Sequence, residues 1–434
     1  MPRRFPINSV TSLQLFQAMQ FGTAVMIGIL LAKSGLPTGL ISVYEALMFL
    51  ASLACFFWVV GGQNTLLQLF PKLDESGRQA ALFNVYALFT LAGAATGFVL
   101  FLSKNWVAGK LTSFDELPHL NLLALFLVFN PATFLIQIFY LLLKKYKAIV
   151  LFGVASFGIQ LAVVVLPVYM GASLREVMIG LVAWAVFKYG WGLTLLARHA
   201  RMHWDVGFVK KYLPMALPLL LFALIGKGSD YVSGLMVTTL FDDEKVFAIF
   251  RYGAREFPLA VLMVGALTTS LLPEVSGDLE RGLNRIKQIT RKLSFWLYPV
   301  SMASMLAAPL LFPLIFNPDF KDSARVFNIF TLLLTSRILM PQVVAMGQGK
   351  NYALTLVGFV ELLVLTVLSW WLGRWIGLDG VAYAAVFSFM AGRIFLMAYL
   401  WKNLGIAPGR YVDWKSYLAF NAALIGVFLI SLQY

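Results

Sequence analysis

One cysteine and three histidines stand among 434 residues. A single thiol cannot close an intrachain disulfide, so cystine staples are excluded, and Cys55, inside an apolar run, is expected only to pack. His119, His199 and His203 fall at helix ends or in a polar linker, with no Cys or carboxylate at ligand spacing, so no metal site is expected. Charge is scarce as well. Asp, Glu, Lys and Arg make up 12% of the chain against 60% hydrophobic residues, and a soluble fold of this size has nowhere to put so much apolar surface. Long polar segments are missing, which leaves no room for a soluble catalytic domain. A phosphate loop is missing too: GQGKN at 347–351 has Val344 where the leading glycine belongs and Asn351 in place of Ser or Thr. Met1–Asn8 lead straight into a spanning-length helix without a small-residue cleavage pattern, so the first helix is expected to stay. An enzyme, a nucleotide-driven motor and any cofactor are therefore not expected.

What is present is a series of long apolar runs, the pattern of an all-α integral membrane protein. One crossing takes about 20 apolar residues. Spans are predicted over 11–33, 38–60, 79–103, 118–143, 147–169 and 174–197. A second set follows over 211–240, 245–272, 291–316, 322–346, 350–373 and 379–402, and a last run at 413–432 adds a further crossing. Between the sets lies the basic stretch ARHARMHWDVGFVKKY. The expected organisation is an N-terminal six-helix lobe at 1–197, a cytoplasmic basic linker at 198–211, a C-terminal six-helix lobe at 212–402 and an additional helix within 403–434. The net charge of +14 suggests a nucleic-acid binder, but the basic residues sit in short loops on alternate sides. Lys144, Lys145, Arg198, Lys211, Arg285 and Lys287 share one side, which by the positive-inside rule is cytoplasmic and puts the N terminus there. No nucleic-acid partner is expected.

The two halves resemble each other. GGQNTLLQLFPKL follows the second span and GALTTSLLPEVS the eighth, placing Pro71 and Pro273 before basic loops. Lys147 and Lys350 open corresponding helices at nearly the same offset. Six helices separate the copies, so both enter the membrane from one side, as in parallel transporter repeats.

The run LAKSGLPTGLISVYEALMFLASLACFFWVVGGQNTLLQLFPKL is similar to the first lobe of polysaccharide and O-antigen flippases. Their superfamily also holds multidrug and toxic-compound extrusion transporters and the lipid II flippase. ALPLLLFALIGKGSDYVSGLMV, VFAIFRYGAREFPL, TTSLLPEVS and RILMPQVVAMGQGKNYALTLVG follow the family order through residue 402. The resemblance implies two lobes around a central cavity, alternately open to cytoplasm and periplasm in a bacterial inner membrane. It implies an undecaprenyl-pyrophosphate-linked oligosaccharide as cargo. The extra C-terminal run departs from the 12- and 14-helix versions.

Charged residues inside the spans carry the chemistry, because charge at membrane depth costs about 2.5–3.5 kcal/mol per residue and turns toward protein or water. Lys188, Lys227, Arg251, Arg255, Arg337 and Arg393 stand against Glu45, Asp230, Glu256 and Glu361. A basic surplus suits a pyrophosphate, which guanidinium groups bind by charge-assisted, bidentate hydrogen bonds. Arg251 and Arg255, four apart, repel unless an anion intervenes, whereas Lys227 and Asp230, three apart, can neutralise each other. Arg255 beside Glu256 is also read as a local structural pair. Glu45 and Glu361 each stand alone in an apolar helix, where a carboxylate suits proton or sodium coupling or a plain structural hydrogen bond. Lys188, between Trp184 and Trp191, reads equally as a cation snorkelling to the interface and as one lining the cavity. Gln14, Gln17 and Gln20 form an amide face expected to pack on a neighbouring helix, and Asn130-Pro131 and Pro341 are expected to kink theirs.

Three function classes are open: a lipid-linked oligosaccharide flippase, an exporter of drugs or small molecules, and a membrane glycosyltransferase or polymerase. A cation exporter wants an acidic cavity, and a polymerase wants a large loop. The basic surplus and the short loops favour the flippase, with the lipid II flippase and the multidrug exporter as alternatives.

Overall fold

The computed structural model describes residues 9–70, 73–111, 117–254, 263–264, 267, 271, 274–275 and 277–433, and these contain helices and no strand. They divide into two compact units, Met1–Leu224 and Ile225–Tyr434.

The first unit holds α1 (Ser9–Lys33), α2 (Thr38–Leu69), α3 (Glu75–Leu102), the short α4 (Lys104–Leu111), α5 (Leu120–Thr133), α6 (Ile136–Leu142), α7 (Tyr146–Tyr169) and α8 (Leu174–His199). Helix α9 (Val206–Leu240) begins within the basic stretch expected as linker, and the division between units falls inside it. The second unit continues with α10 (Glu244–Gly253), α11 (Leu279–Ile315), α12 (Lys321–Thr331), α13 (Leu334–Arg337), α14 (Pro341–Gly347), α15 (Asn351–Ile376), α16 (Leu378–Leu404) and α17 (Trp414–Ser431).

Among the described residues ten helices are long and apolar enough to cross a membrane, and α12–α14 make an eleventh span bent by 42° if that broken run is one crossing. The expected span at 211–240 corresponds to α9. The one at 245–272 begins as α10 and then runs into residues outside those described, which include Pro71, Pro273, Arg255 and Glu256. The thirteenth run is a full helix, α17.

Several boundaries differ from the sequence reading, and α11 begins at Leu279 where the span was expected from residue 291. Helix α2 continues through Gly61-Gly62-Gln63-Asn64 to Leu69 instead of stopping at residue 60. Its glycines hold it close to other elements: a Cβ on Gly61 would strike the Leu220 backbone, and the Tyr212 hydroxyl donates to the Gly62 carbonyl at 2.7 Å. The span at 118–143 is broken at Phe134 and Leu135, downstream of Pro131, whose missing N–H and ring remove one rung of the helix ladder. Pro341 does not kink a continuous helix. It opens α14 after a break in which Met340 adopts a left-handed φ of 51°.

Helix ends obey local chemistry. Asp74 caps α3 by accepting from the Gly77 amide, Asp278 caps α11 from the Arg281 amide, and Ser173 with Glu176 forms a capping box on α8. Gly405 ends α16 in the left-handed conformation that a glycine takes without steric cost. The helices pack by small residues, as membrane helices must where lipid removes the hydrophobic drive. Gly93 and Gly97 lay α3 on α5 so closely that a Cβ would stand 2.6 Å from the Leu127 carbonyl and 2.5 Å from that of Ala124. Outward faces are apolar: Leu102, Leu151, Trp296, Leu310 and Trp375 are each at least 66% exposed. Water would not tolerate such a surface, and lipid requires it.

Candidate functional site

The second unit gathers three of the charges singled out in the sequence. Glu361 lies in the middle of α15 and Arg393 in α16, and their side chains are each only 12% exposed. Arg393 Nη1 stands 3.6 Å from Glu361 Oε1. Arg337, at the end of the short α13, adds a second positive charge acting on the same carboxylate. Its guanidinium lies over the Phe389 ring at 5.0 Å, a cation–π contact from the next turn of α16. Glu361, read as a lone carboxylate in its own helix, is thus met by charges from two neighbouring helices.

Local sequence explains the meeting of Glu361 and Arg393. Helices α15 and α16 form a tight antiparallel hairpin through Gly377, whose φ of 74° favours glycine. The two residues are equally far from Gly377 along the chain, so they come level across the hairpin. Gly392 makes the space: a Cβ there would collide with the Glu361 carboxylate. This glycine was missed in the sequence, although its place next to Arg393 in an apolar helix is the signal that marks it. Arg337 reaches the pair because the α12–α14 run breaks beside it; backbone breaks at membrane depth are tolerated where protein or a cavity satisfies the freed groups.

Two guanidinium groups beside one carboxylate hold a surplus of one positive charge. Such a cluster can accept a phosphate oxygen pair in bidentate geometry while Glu361 keeps part of the charge compensated in the absence of an anion. Arg251, half-buried in α10, lies in the same unit, on a helix that packs against α12. Arg255 and Glu256 lie outside the described residues. Lys227 and Asp230 fall on one helix, α9, as expected from their spacing, but their side chains also lie outside those described.

In the first unit Lys188 does not snorkel. It is 7% exposed and donates from Nζ to Asn130 Oδ1 at 3.0 Å, directly before Pro131 and the helix break that follows. The flanking tryptophans do not bring it to the surface, because α8 turns this face toward α5. Glu45 is buried in α2. Gln14, Gln17 and Gln20, expected to pack, are exposed. Phe16, on the same helix, is the side chain that packs on Phe152 and Phe157 of α7. Among the described residues no group of three His, Cys, Asp or Glu side chains is placed to hold a metal ion.

Comparison with known proteins adds to this geometry. The fold matches a lipid II flippase, MurJ, in an inward closed conformation, with 15% identity over 96% of this chain and 92% of that one and a TM-score of 0.73. It also matches an inward-facing multidrug resistance MATE transporter of the MOP superfamily, with 14% identity, 97% and 99% coverage and a TM-score of 0.65. A MOP superfamily transporter from Pyrococcus furiosus, described by a reversed polarity of its binding pocket, matches at 13% identity, 97% and 95% coverage and a TM-score of 0.57. At such identities the likeness is one of fold. Comparison with curated protein sequences finds no match. Residues 42–325, well over half of the chain, match the polysaccharide biosynthesis protein family, and the chain belongs to that family.

Proposed function

We propose that the chain is a flippase that moves an undecaprenyl-pyrophosphate-linked oligosaccharide from the cytoplasmic to the periplasmic leaflet by alternating access, for O-antigen-like surface polysaccharide synthesis. Membership of the polysaccharide biosynthesis family and the MOP-type fold support a transporter acting on such material. The observation that carries the head-group chemistry is the Glu361, Arg393 and Arg337 cluster, a membrane-depth site with more cationic than anionic groups. In this reading Arg337 and Arg393 hold the pyrophosphate, with Arg251, Arg255, Lys227 and Lys188 as further cations. Glu361, with Glu45, Asp230 and Glu256, supplies the acids through which a proton or sodium gradient couples to release.

Reconstitution tests it. Vesicles containing only this protein are expected to move a fluorescent undecaprenyl-pyrophosphate glycan between leaflets without ATP, faster under an ion gradient. Arg393→Gln is expected to lower glycan-lipid affinity about tenfold or more, the size of a lost charge-assisted contact. Movement only with ATP, or a cationic drug transported in place of the glycan lipid, overturns the proposal. The match to a lipid II flippase favours a second reading with the same head group and a different sugar, which the same vesicles decide when loaded with lipid II.

A further inference from the structure

The second unit contains another polar feature that the charge cluster does not use. A small open cleft lies among the N-terminal half of α11, the break before α14 and the start of α17, lined by Thr290, Arg291, Ser294, Tyr411, Asp413 and Ser416 among others. Tyr411 is fully buried, yet its hydroxyl has no hydrogen-bond partner. Buried polar groups nearly always find one, so an unsatisfied hydroxyl on a residue that lines a cleft marks a place where a ligand can supply the partner. Burial pushes the phenol pKa upward, which keeps the group a proton donor.

Arg291 lines the same cleft. Its Nε lies 3.6 Å from Asp413 Oδ2 and its side chain is 59% exposed, so one edge of the guanidinium meets the acid and the other N–H groups are open to a ligand. Asp413 lines the cleft as well, and the same Oδ2 accepts from the Ser416 hydroxyl at 2.9 Å. Lys287 also acts on Asp413, and its ammonium is held at the rim by donating to the Gly409 carbonyl at 2.9 Å. Two cations thus face one carboxylate. Immediately beyond Arg291, Phe295 and Trp296 are 57% and 75% exposed, and Trp414 and Leu418 of α17 are exposed as well. Exposed tryptophan beside clustered basic groups is the arrangement found at head-group level, where basic pockets between helices take anionic lipids.

We propose that this cleft binds the phosphate group of an anionic membrane lipid, with the Arg291 guanidinium and the Tyr411 hydroxyl as its donors and the acyl chains lying over Phe295, Trp296 and Leu418. The apolar rim favours a lipid over a soluble phosphate.

The test titrates phosphatidylglycerol, phosphatidylcholine and inorganic phosphate separately against the purified full chain in detergent, with bound lipid counted by native mass spectrometry. Phosphatidylglycerol is expected to bind saturably and more tightly than phosphatidylcholine. Tyr411→Phe is expected to weaken it about five- to tenfold and Arg291→Gln about tenfold or more, with Arg291→Lys intermediate. Because the Tyr411 hydroxyl has no protein partner, Tyr411→Phe is expected to leave the lipid-free melting temperature unchanged or raised, and it decides the matter if Arg291→Gln folds poorly. Equal phosphatidylglycerol affinity in Tyr411→Phe and wild type overturns the proposal, as does a lowered lipid-free melting temperature in that variant. Displacement of the lipid by inorganic phosphate at equal concentration overturns the lipid assignment and marks a soluble phosphate site.

Discussion

Each unit buries a cation among its helices, and the two solve the problem by opposite means. In the first, Lys188 is met by the neutral amide oxygen of Asn130. In the second, Arg393 is met by the carboxylate of Glu361, with Arg337 adding a second charge to the same acid. A neutral partner satisfies a hydrogen bond and leaves the charge whole, while a carboxylate cancels charge at the cost of desolvating two ions. Loss of a partner therefore matters far more in the second unit.

The sharpest way to break the contrast is Glu361→Gln. It removes the acid facing the largely buried Arg393 and is expected to cost about 3–5 kcal/mol, read as a lower melting temperature of the purified protein and reduced membrane abundance. Glu361→Gln combined with Arg393→Gln is expected to recover part of the loss. A stable Glu361→Gln protein removes the distinction between the units.

Next come the close approaches. Gly97→Ala in the first unit sets a methyl against the Ala124 backbone carbonyl, which cannot step aside, and is expected to cost about 1–3 kcal/mol. Gly392→Ala in the second unit meets a side chain, the Glu361 carboxylate, which can rotate. Its expected outcome is a smaller loss of stability than Gly97→Ala with a larger loss of glycan-lipid binding, measured on the same preparations. The reverse order would mean that Gly392 serves packing alone.

Lys188→Met keeps the aliphatic stem and removes the charge. Relief of desolvation offsets the lost bond to Asn130, so the melting temperature is expected to stay within a shift equivalent to about 1 kcal/mol, whereas Arg393→Met leaves a buried carboxylate and falls much further.

The smallest effect compares the helix starts. The Ser76 hydroxyl and the Gly77 amide hold Asp74 below the usual carboxylate range, and the Ser416 hydroxyl does the same for Asp413. A depressed folded pKa contributes stability above the ordinary value near 4 and loses it as pH falls through the lowered one. Between about pH 4 and 3 wild type is expected to lose a small increment of melting temperature that Asp74→Asn does not lose, with the same result for Asp413→Asn.

Legibility of the site varied with the distance over which partners had to be found. Glu361 and Arg393 stand symmetrically about Gly377, so a hairpin reading alone brings them together, although the sequence presents Glu361 as a lone acid and Arg393 as a cavity cation. Arg337 joins them through a break at residues 338–340 that no pattern announced, since Pro341 is as compatible with a kink inside a helix. Lys188 lies 58 residues from Asn130 in sequence, on a helix that is not its neighbour in the chain, and the tryptophans on either side pointed toward the membrane interface instead.

Composition and periodicity were enough to determine an all-helical membrane protein, the places of most of its spans and the extra helix at its end, because a lipid solvent demands long apolar stretches whose backbone bonds close within each helix. Only the tertiary structure decided which buried charges meet and that Tyr411, lining a cleft, keeps a buried hydroxyl without a partner. Those are properties of packing between helices, and a helix's own sequence says which face is polar without saying what stands opposite.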